Sequence, residues 1–307
     1  MDIAILTSLP FNVSGGAERH VVDTASALNA DIVRITPKTL LKHLDYDFYV
    51  PMDDIARTYL IHNVPHLYYT TTPRRALYDM TYISKHNLAL APARKIDQWF
   101  VKKYVKNLAC ISHTVRTRIC KYYLRDSYVI YPPVHTEKYT YKPAENYWLS
   151  VNRVDKWKRV PLQVKTFRSM PDQRLVIVGK VYPQYTYFSA PNVTFLGEIP
   201  EPNLIQLYSK CIGLITTAID EDFGLTPLEA MASGKPVVCT KEGGYLETVL
   251  PTCGKLVHPN KEELQSAILE VSNNPEQYRE PCINRAKEFD YPVFKSRIVN
   301  LVGSLSD

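Results

Sequence analysis

With 307 residues, 45% of them hydrophobic and 22% charged, the chain has the composition of a soluble globular protein and room for two cores of about 150 residues each. No run approaches the roughly 18 apolar residues that a membrane-crossing helix needs, and the opening Met-Asp-Ile-Ala-Ile-Leu lacks a basic leader, so a cytoplasmic location is expected. The net charge of +6 is modest, and six dispersed cysteines without a Cys-x-x-Cys pair argue against a zinc site or a small disulfide scaffold.

In chain order, residues 3–7 predict a strand, 17–28 a helix and 32–35 a second strand. Such alternation implies βαβ units and a parallel sheet, hence an α/β fold class. Residues 59–71 read as strand and loop, and 95–107 as helix. A short strand at 109–111 precedes a helix over 114–123, and residues 129–131 lead into Pro132 and Pro133. The stiff, polar segment 132–143 reads as an interdomain linker. Alternation then resumes, with strands at 147–151, 175–178, 193–196, 212–216 and 236–239 and helices from Pro161 and near 203–210. Asn260 with Glu263 forms a capping-box pattern that opens a helix to about Val271.

Within this frame, residues 221–238 carry the most information. Glu221 lies in the loop after an apolar strand. Thr226 is the expected N-cap of the next helix, Pro227 suits its first position, and Gly234 ends it. Such a helix start offers free N–H groups to an anion, while ionised Glu221 and Glu229 are strong acceptors for sugar hydroxyls. Glu229 also fits the third position of an ordinary Thr-x-x-Glu capping box, which leaves Glu221, Phe223-Gly224-Leu225 and the Gly-Lys-Pro-Val-Val exit unexplained.

The chain has only 11 glycines, and Gly15 and Gly16 stand side by side with none following until Gly179. Between a strand and a helix, this pair suits either close backbone approach to phosphate or sugar, or a left-handed turn. The Gly-x-Gly-x-x-Gly dinucleotide fingerprint and the P-loop pattern are both absent, which argues against a dehydrogenase and a P-loop nucleotidase. Arg153 follows a strand, with Lys158 five residues on, at the place where a doubly wound sheet gathers ligands. Between residues 94 and 125 nine Lys/Arg face a single acid, Asp97, with Trp99, Phe100, Tyr104, Tyr122 and Tyr123 interleaved. That stretch can be a solvated helix face, an anionic membrane surface or a nucleic-acid surface.

The stretch 221–244 resembles the Glu-x7-Glu signature of family 4 retaining nucleotide-sugar glycosyltransferases. The likeness extends to Gly15-Gly16-Ala17-Glu18-Arg19-His20, Tyr131-Pro132-Pro133-Val134, Asn152-Arg153 with Lys158, and Asn192-Val193-Thr194-Phe195-Leu196-Gly197. The resemblance implies a GT-B fold: two Rossmann-like parallel-sheet domains facing across a cleft. An acceptor-side domain would occupy 1–143 and a nucleotide-sugar-binding domain 144–285, with a C-terminal helix within 286–307 crossing back to the first. The implied activity is a metal-independent, retaining hexosyltransferase without a cofactor. It would move sugar from a GDP-mannose or UDP-glucose type donor to a glycan, lipid-linked or protein acceptor, at the inner membrane face if the 94–125 surface binds lipid.

Residue roles follow from the same resemblance. Arg153 and Lys158 would grip the donor pyrophosphate, and Glu221 would hold the donor sugar and face the reacting centre. The amides of Phe223, Gly224, Leu225 and Thr226 would contact sugar and phosphate, Glu229 would accept the ribose hydroxyls, and Gly15 and Gly16 would approach the donor. The resemblance implies a reaction that needs no metal, so no residues are assigned to a metal site.

The pattern breaks at Thr71, which stands where related mannosyltransferase-like chains carry an acceptor-side histidine; Arg74 and Arg75 follow it. His62 and His66 are the alternative histidines. The loop from Lys180 to Tyr187 also departs from the family's usual residues. A nucleotide-sugar epimerase or hydrolase of the same fold, a non-catalytic nucleotide-sugar-binding module and a DNA-modifying transferase are the competing readings.

Overall fold

Short strands and helices alternate along the chain, and every strand pair among the described residues is parallel. Parallel neighbours need helical crossovers that cover the sheet, which is why strands such as Ile3–Thr7 and Val237–Thr240 are apolar and buried throughout. The computed structural model describes residues 1–10, 15–79, 87–182 and 189–306. They form two compact units, Met1–Pro133 with Tyr291–Asp307, and Val134–Asp290.

The first unit begins with β1 (Ile3–Thr7), α1 (Gly16–Leu28), β2 (Asp31–Arg34), α2 (Pro37–Leu40) and β3 (Phe48–Pro51). Then come β4 (Tyr68–Thr70), α3 (Arg75–Tyr78), α4 (Ala91–Tyr104), β5 (Leu108–Cys110), α5 (His113–Tyr123) and β6 (Tyr128–Val129). Its strands form two sheets, β2-β1-β3 and β4-β5-β6, stitched together by Tyr49 N–H to Pro65 O and Leu67 N–H to Tyr49 O, both 3.0 Å. Residues 59–71, read from sequence as strand and loop, start instead as a 3-10 helix, Ala56–His62, that ends at left-handed Asn63. Tertiary burial of Tyr59 and Leu60 decides this: the Tyr59 ring packs 5.5 Å from that of Tyr49.

The second unit contains β7 (Trp148–Val151), α6 (Val160–Arg168), β8 (Leu175–Val178), β9 (Val193–Gly197), α7 (Glu201–Lys210), β10 (Leu214–Thr216) and α8 (Leu225–Ala232). It continues with β11 (Val237–Thr240), α9 (Tyr245–Thr248), β12 (Gly254–Val257), α10 (Lys261–Asn273) and α11 (Arg279–Lys287). Asn260 caps α10 by accepting from Glu263 N–H at 2.8 Å, and the Glu263 carboxylate accepts from His258 N–H and from the Asn260 amide. The proline-bounded segment 132–143 belongs to this unit from Val134 onward. Val134 N–H donates to Phe289 O at 2.9 Å, and Lys142 N–H to Ser209 O at 3.0 Å. The last helix, α12 (Tyr291–Ser306), belongs to the first unit and packs on α1, with the Tyr291 hydroxyl 3.0 Å from that of Ser26.

The sheet of the second unit runs β12-β11-β10-β7-β8-β9. Counted from β7 as the first strand, this is the doubly wound order 6-5-4-1-2-3, whose direction reverses between β7 and β10. In open α/β sheets the crevice at such a reversal, beyond the carboxyl ends of the strands, is where ligands bind.

Candidate active site

The chain leaving β7 and the chain leaving β10 are bound to each other at that reversal. The Asp155 carboxylate accepts from Trp157 N–H at 2.9 Å and Lys158 N–H at 3.1 Å, folding residues Lys156–Lys158 into a single 3-10 turn. Thr217 Oγ1 donates to Lys158 O at 2.8 Å, and Ile219 N–H to Trp157 O at 2.7 Å. With both backbones held, Lys158 Nζ donates to Glu221 Oε2 at 2.6 Å; the two side chains are only 22% and 20% exposed. Their neighbours Arg159 and Asp220 both adopt left-handed backbone, φ 47° and 46°, a local strain that concentrates at functional sites. Arg159 is held by both oxygens of Glu242. Arg153 is the most exposed cation of the group, at 64%, with Nε 3.8 Å from Asp155.

The helix start differs from the sequence expectation. α8 begins at Leu225 with Gly224 as N-cap, φ 95°, and no side-chain cap bond, so Thr226 lies inside the first turn and no Thr-x-x-Glu box forms. The reason is steric. Gly224 takes a left-handed conformation that Cβ-bearing residues avoid, and a Cβ there would meet the Tyr245 ring at 2.9 Å. The uncapped first turn leaves its N–H groups for an anion. Gly234 ends the helix as expected, at φ 68°. Glu229 turns inward: it is 5% exposed, and the Tyr208 hydroxyl donates to its Oε2 at 2.7 Å.

In the first unit, Gly15 is the N-cap of α1 in an extended conformation, φ −109°, and Gly16 is its first residue, so neither makes a left-handed turn. Nearby, Asp53 gathers Thr7 Oγ1, Ser8 Oγ and the N–H groups of Ser8, Ile55 and Ala56. His20, one turn into α1, is buried against the Tyr69 ring, centroids 4.7 Å apart. Burial holds its pKa down at about 4.

Thr71 follows β4; Arg74 pairs with Asp54 at 3.6 Å and Arg75 with Asp79 at 3.8 Å. The alternative histidines are structural. His62 Nε2 bonds to Leu40 O, while His66 uses Nδ1 on Val64 O and accepts from Lys106 N–H with Nε2. Most of the 180–187 loop lies outside the described residues.

A family model described as glycosyl transferases group 1 matches residues 134–289, about half of the chain. The chain belongs to this family. Over 212 residues it is 30% identical to the O-antigen chain mannosyltransferase RfbU of Salmonella typhimurium, covering 64% of this chain and 60% of RfbU. Over 118 residues it is 34% identical to an alpha-1,3/1,6-mannosyltransferase of Dictyostelium discoideum, covering 37% of this chain and 28% of that one. The matched regions thus span less than two thirds of these relatives' own lengths. Among solved structures, HepE of Anabaena in complex with UDP and glucose superposes with a TM-score of 0.80 at 18% identity, covering 99% of this chain and all of the other. A sucrose-phosphate synthase of Thermosynechococcus elongatus gives 0.83 at 15% identity, covering 99% and 98%. These likenesses show the fold, which is GT-B.

In this group 1 glycosyl transferase the structure adds residues that the sequence analysis did not single out. Gly243 and Gly244 run directly under the Glu221 loop: Gly244 N–H donates to Glu221 O at 2.7 Å, and Gly243, at φ 56°, would bring a Cβ within 2.6 Å of Glu221 N. The signal was available, since Gly243-Gly244 is a second glycine doublet in a glycine-poor chain. Tyr208 and Glu242 carried no such signal, because each acts through a partner distant in sequence.

Proposed function

We propose that the chain transfers a hexosyl group from a nucleotide-sugar donor to a hydroxyl of a glycan, lipid-linked or protein acceptor, with retention at the anomeric carbon and without a metal. The observation that carries this reading is the Lys158–Glu221 pair at the strand-order reversal, beside the uncapped start of α8. Breaking the bond between sugar C1 and phosphate sends an electron pair onto the departing nucleotide diphosphate. Lys158, Arg153 and the amides of Phe223 to Thr226 can offset that charge, as preorganised dipoles and cations do. Glu221 would hold the sugar hydroxyls and face C1, Glu229 would take the ribose hydroxyls, and Gly15 and Gly16 would offer bare backbone to sugar or phosphate. Thr71, Arg74 and Arg75 would lie on the acceptor side.

The relatives named as mannosyltransferases favour a GDP-mannose type donor, and the neighbour solved with UDP and glucose keeps a UDP-glucose type open. A donor panel decides. With GDP-mannose, UDP-glucose and their analogues, nucleotide release that depends on an acceptor and disappears in Glu221→Ala and Lys158→Ala supports the reading. Binding without turnover, or an epimerised or merely hydrolysed donor, replaces it.

No helix among the described residues is long and apolar enough to cross a membrane. A peripheral position at the inner membrane face forms part of the proposal. Exposed Ile96 (66%), Trp99 (52%) and Leu124 (86%) stand among Lys95, Lys102, Lys103 and Lys121, a combination suited to anionic lipid. Salt-sensitive co-sedimentation with anionic vesicles tests it.

A further inference from the structure

A cavity of about 750 Å³ opens beside β6, the edge strand of the β4-β5-β6 sheet, a volume typical of sites that enclose small ligands. Lys106, Arg116, Arg125 and Arg297 line it together with His113 and Tyr131, and Asp126 is the only acid of the lining among the described residues. Arg297 comes from α12, so the last helix adds a cation to the basic stretch seen in the sequence.

The four cations differ in what else they do. Arg116 is neutralised by Asp126 through two bonds of 2.6 Å. Arg125 donates to the carbonyls of Val101, Val105 and Lys106 and so closes the end of α4. Lys106 and Arg297 have no carboxylate partner among the described residues; the Arg297 guanidinium stands 6.0 Å from the centre of the Tyr131 ring, and His113 lies edge-on to the same ring at 6.1 Å. A compact ammonium and a planar guanidinium lining one hollow, with the His113 and Tyr131 rings in the same lining, match a group that carries several anionic oxygens.

We propose that this cavity binds the phosphate or diphosphate of a phosphorylated ligand, clamped by Lys106 and Arg297. The site lies wholly in the first unit, whereas the donor diphosphate is assigned to Arg153 and Lys158 in the second, so either assignment can fail alone.

Calorimetric titration of the full chain with inorganic pyrophosphate tests it. In Lys158→Ala, where the donor site is impaired, one binding event should remain. Adding Lys106→Gln and Arg297→Gln should weaken that event about tenfold or more, the usual consequence of losing charge-assisted hydrogen bonds. Both side chains are exposed, so an unchanged Tm is expected to confirm folding. Exposed Lys38→Gln with Lys42→Gln serves as the control for general charge. No remaining event in Lys158→Ala, an event unmoved by the double substitution, or an equal loss in the control overturns the proposal. Phosphatidylcholine vesicles with and without phosphatidic acid then separate the sources. Binding to phosphatidic acid that pyrophosphate displaces and the double substitution abolishes assigns a lipid headgroup; binding indifferent to both assigns a soluble phosphate ester.

Discussion

Lys158 Nζ and Glu221 Oε2 stand 2.6 Å apart although 63 positions separate the two residues in the chain. They meet because β7 and β10 are neighbours only where the sheet order reverses, and each residue lies in the connection that leaves one of those strands. The Lys158 ammonium donates a charge-assisted hydrogen bond to the Glu221 carboxylate. Under the proposed function, a diphosphate engaging Lys158 would leave the Glu221 carboxylate to accept from sugar hydroxyls, and donor binding would be coupled to carboxylate availability through this one ion pair.

Lys158→Ala should therefore lower kcat by ~10²–10³, the usual loss on removing one preorganised charge. Because the pair is partly solvated, its removal should change stability by only about 1 kcal/mol. Glu221→Ala should fall in the same range, and the double variant should lose much less than the product of the two, since residues acting as a unit are not additive. Initial rates of nucleotide release for the four proteins measure this; strict additivity would show that the pair does not act as a unit.

The parallel α/β framework was legible because it is written locally. Apolar runs such as 3–7 and 175–178 match their strands to the residue, and Asn260 and Gly234 mark helix ends where expected. The Glu221 loop and the Arg153–Lys158 loop were legible as connections leaving strands for the same reason. What the sequence concealed is long-range. The N-cap is Gly224 rather than Thr226, and its left-handed backbone lies where a Cβ would meet the distant Tyr245 ring. The 3-10 helix over Ala56–His62 exists because Tyr59 and Leu60 are buried from several sides. The cavity beside the basic stretch is lined in part by Arg297, which is distant from it in the chain. Periodicity cannot report partners that distant.

Two glycines give opposite expectations for the same substitution. Gly243→Ala places a Cβ against the Glu221 backbone at φ 56°, so it should cost at least about 2 kcal/mol and reduce turnover by displacing Glu221. Gly303→Ala lies inside α12 with no atom within 4 Å of the new Cβ, and should gain about 0.5–1 kcal/mol from helix propensity alone. Urea denaturation midpoints with parallel rate assays check both, and a Gly243→Ala protein of native stability and rate would contradict the account of the loop.

His20 sets part of the acid limit of stability. Its ring is buried with both nitrogens unpartnered among the described residues, and burial lowers its pKa from 6.5 to about 4. Between those values the unfolded chain binds a proton that the folded chain does not, so stability falls as pH drops from about 6.5 to about 4 and this contribution is exhausted below. The loss amounts to at most about 3 kcal/mol. Comparing urea midpoints at pH 7 and pH 4.5, His20→Leu should show a shallower acid decline than the parent; an identical decline would remove His20 from the explanation.

Tyr208 and Glu229 separate structure from binding at the second carboxylate. Tyr208 is fully buried and donates to Glu229 Oε2 at 2.7 Å, so Tyr208→Phe keeps the ring, removes the donor and should destabilise by about 1–3 kcal/mol. Glu229→Gln keeps an acceptor oxygen for Tyr208 while removing the charge, and should alter stability much less. If Glu229 receives the ribose hydroxyls, its interaction is made in ground state and transition state alike, so Glu229→Gln should raise the donor KM with kcat nearly unchanged. Glu221→Gln should do the reverse, lowering kcat at nearly constant KM, if its carboxylate faces the carbon where charge develops, as the proposed function has it. Steady-state kinetics on the two variants distinguish the roles, and a Glu229→Gln enzyme with an unaltered donor KM would reduce that carboxylate to a buried partner of Tyr208.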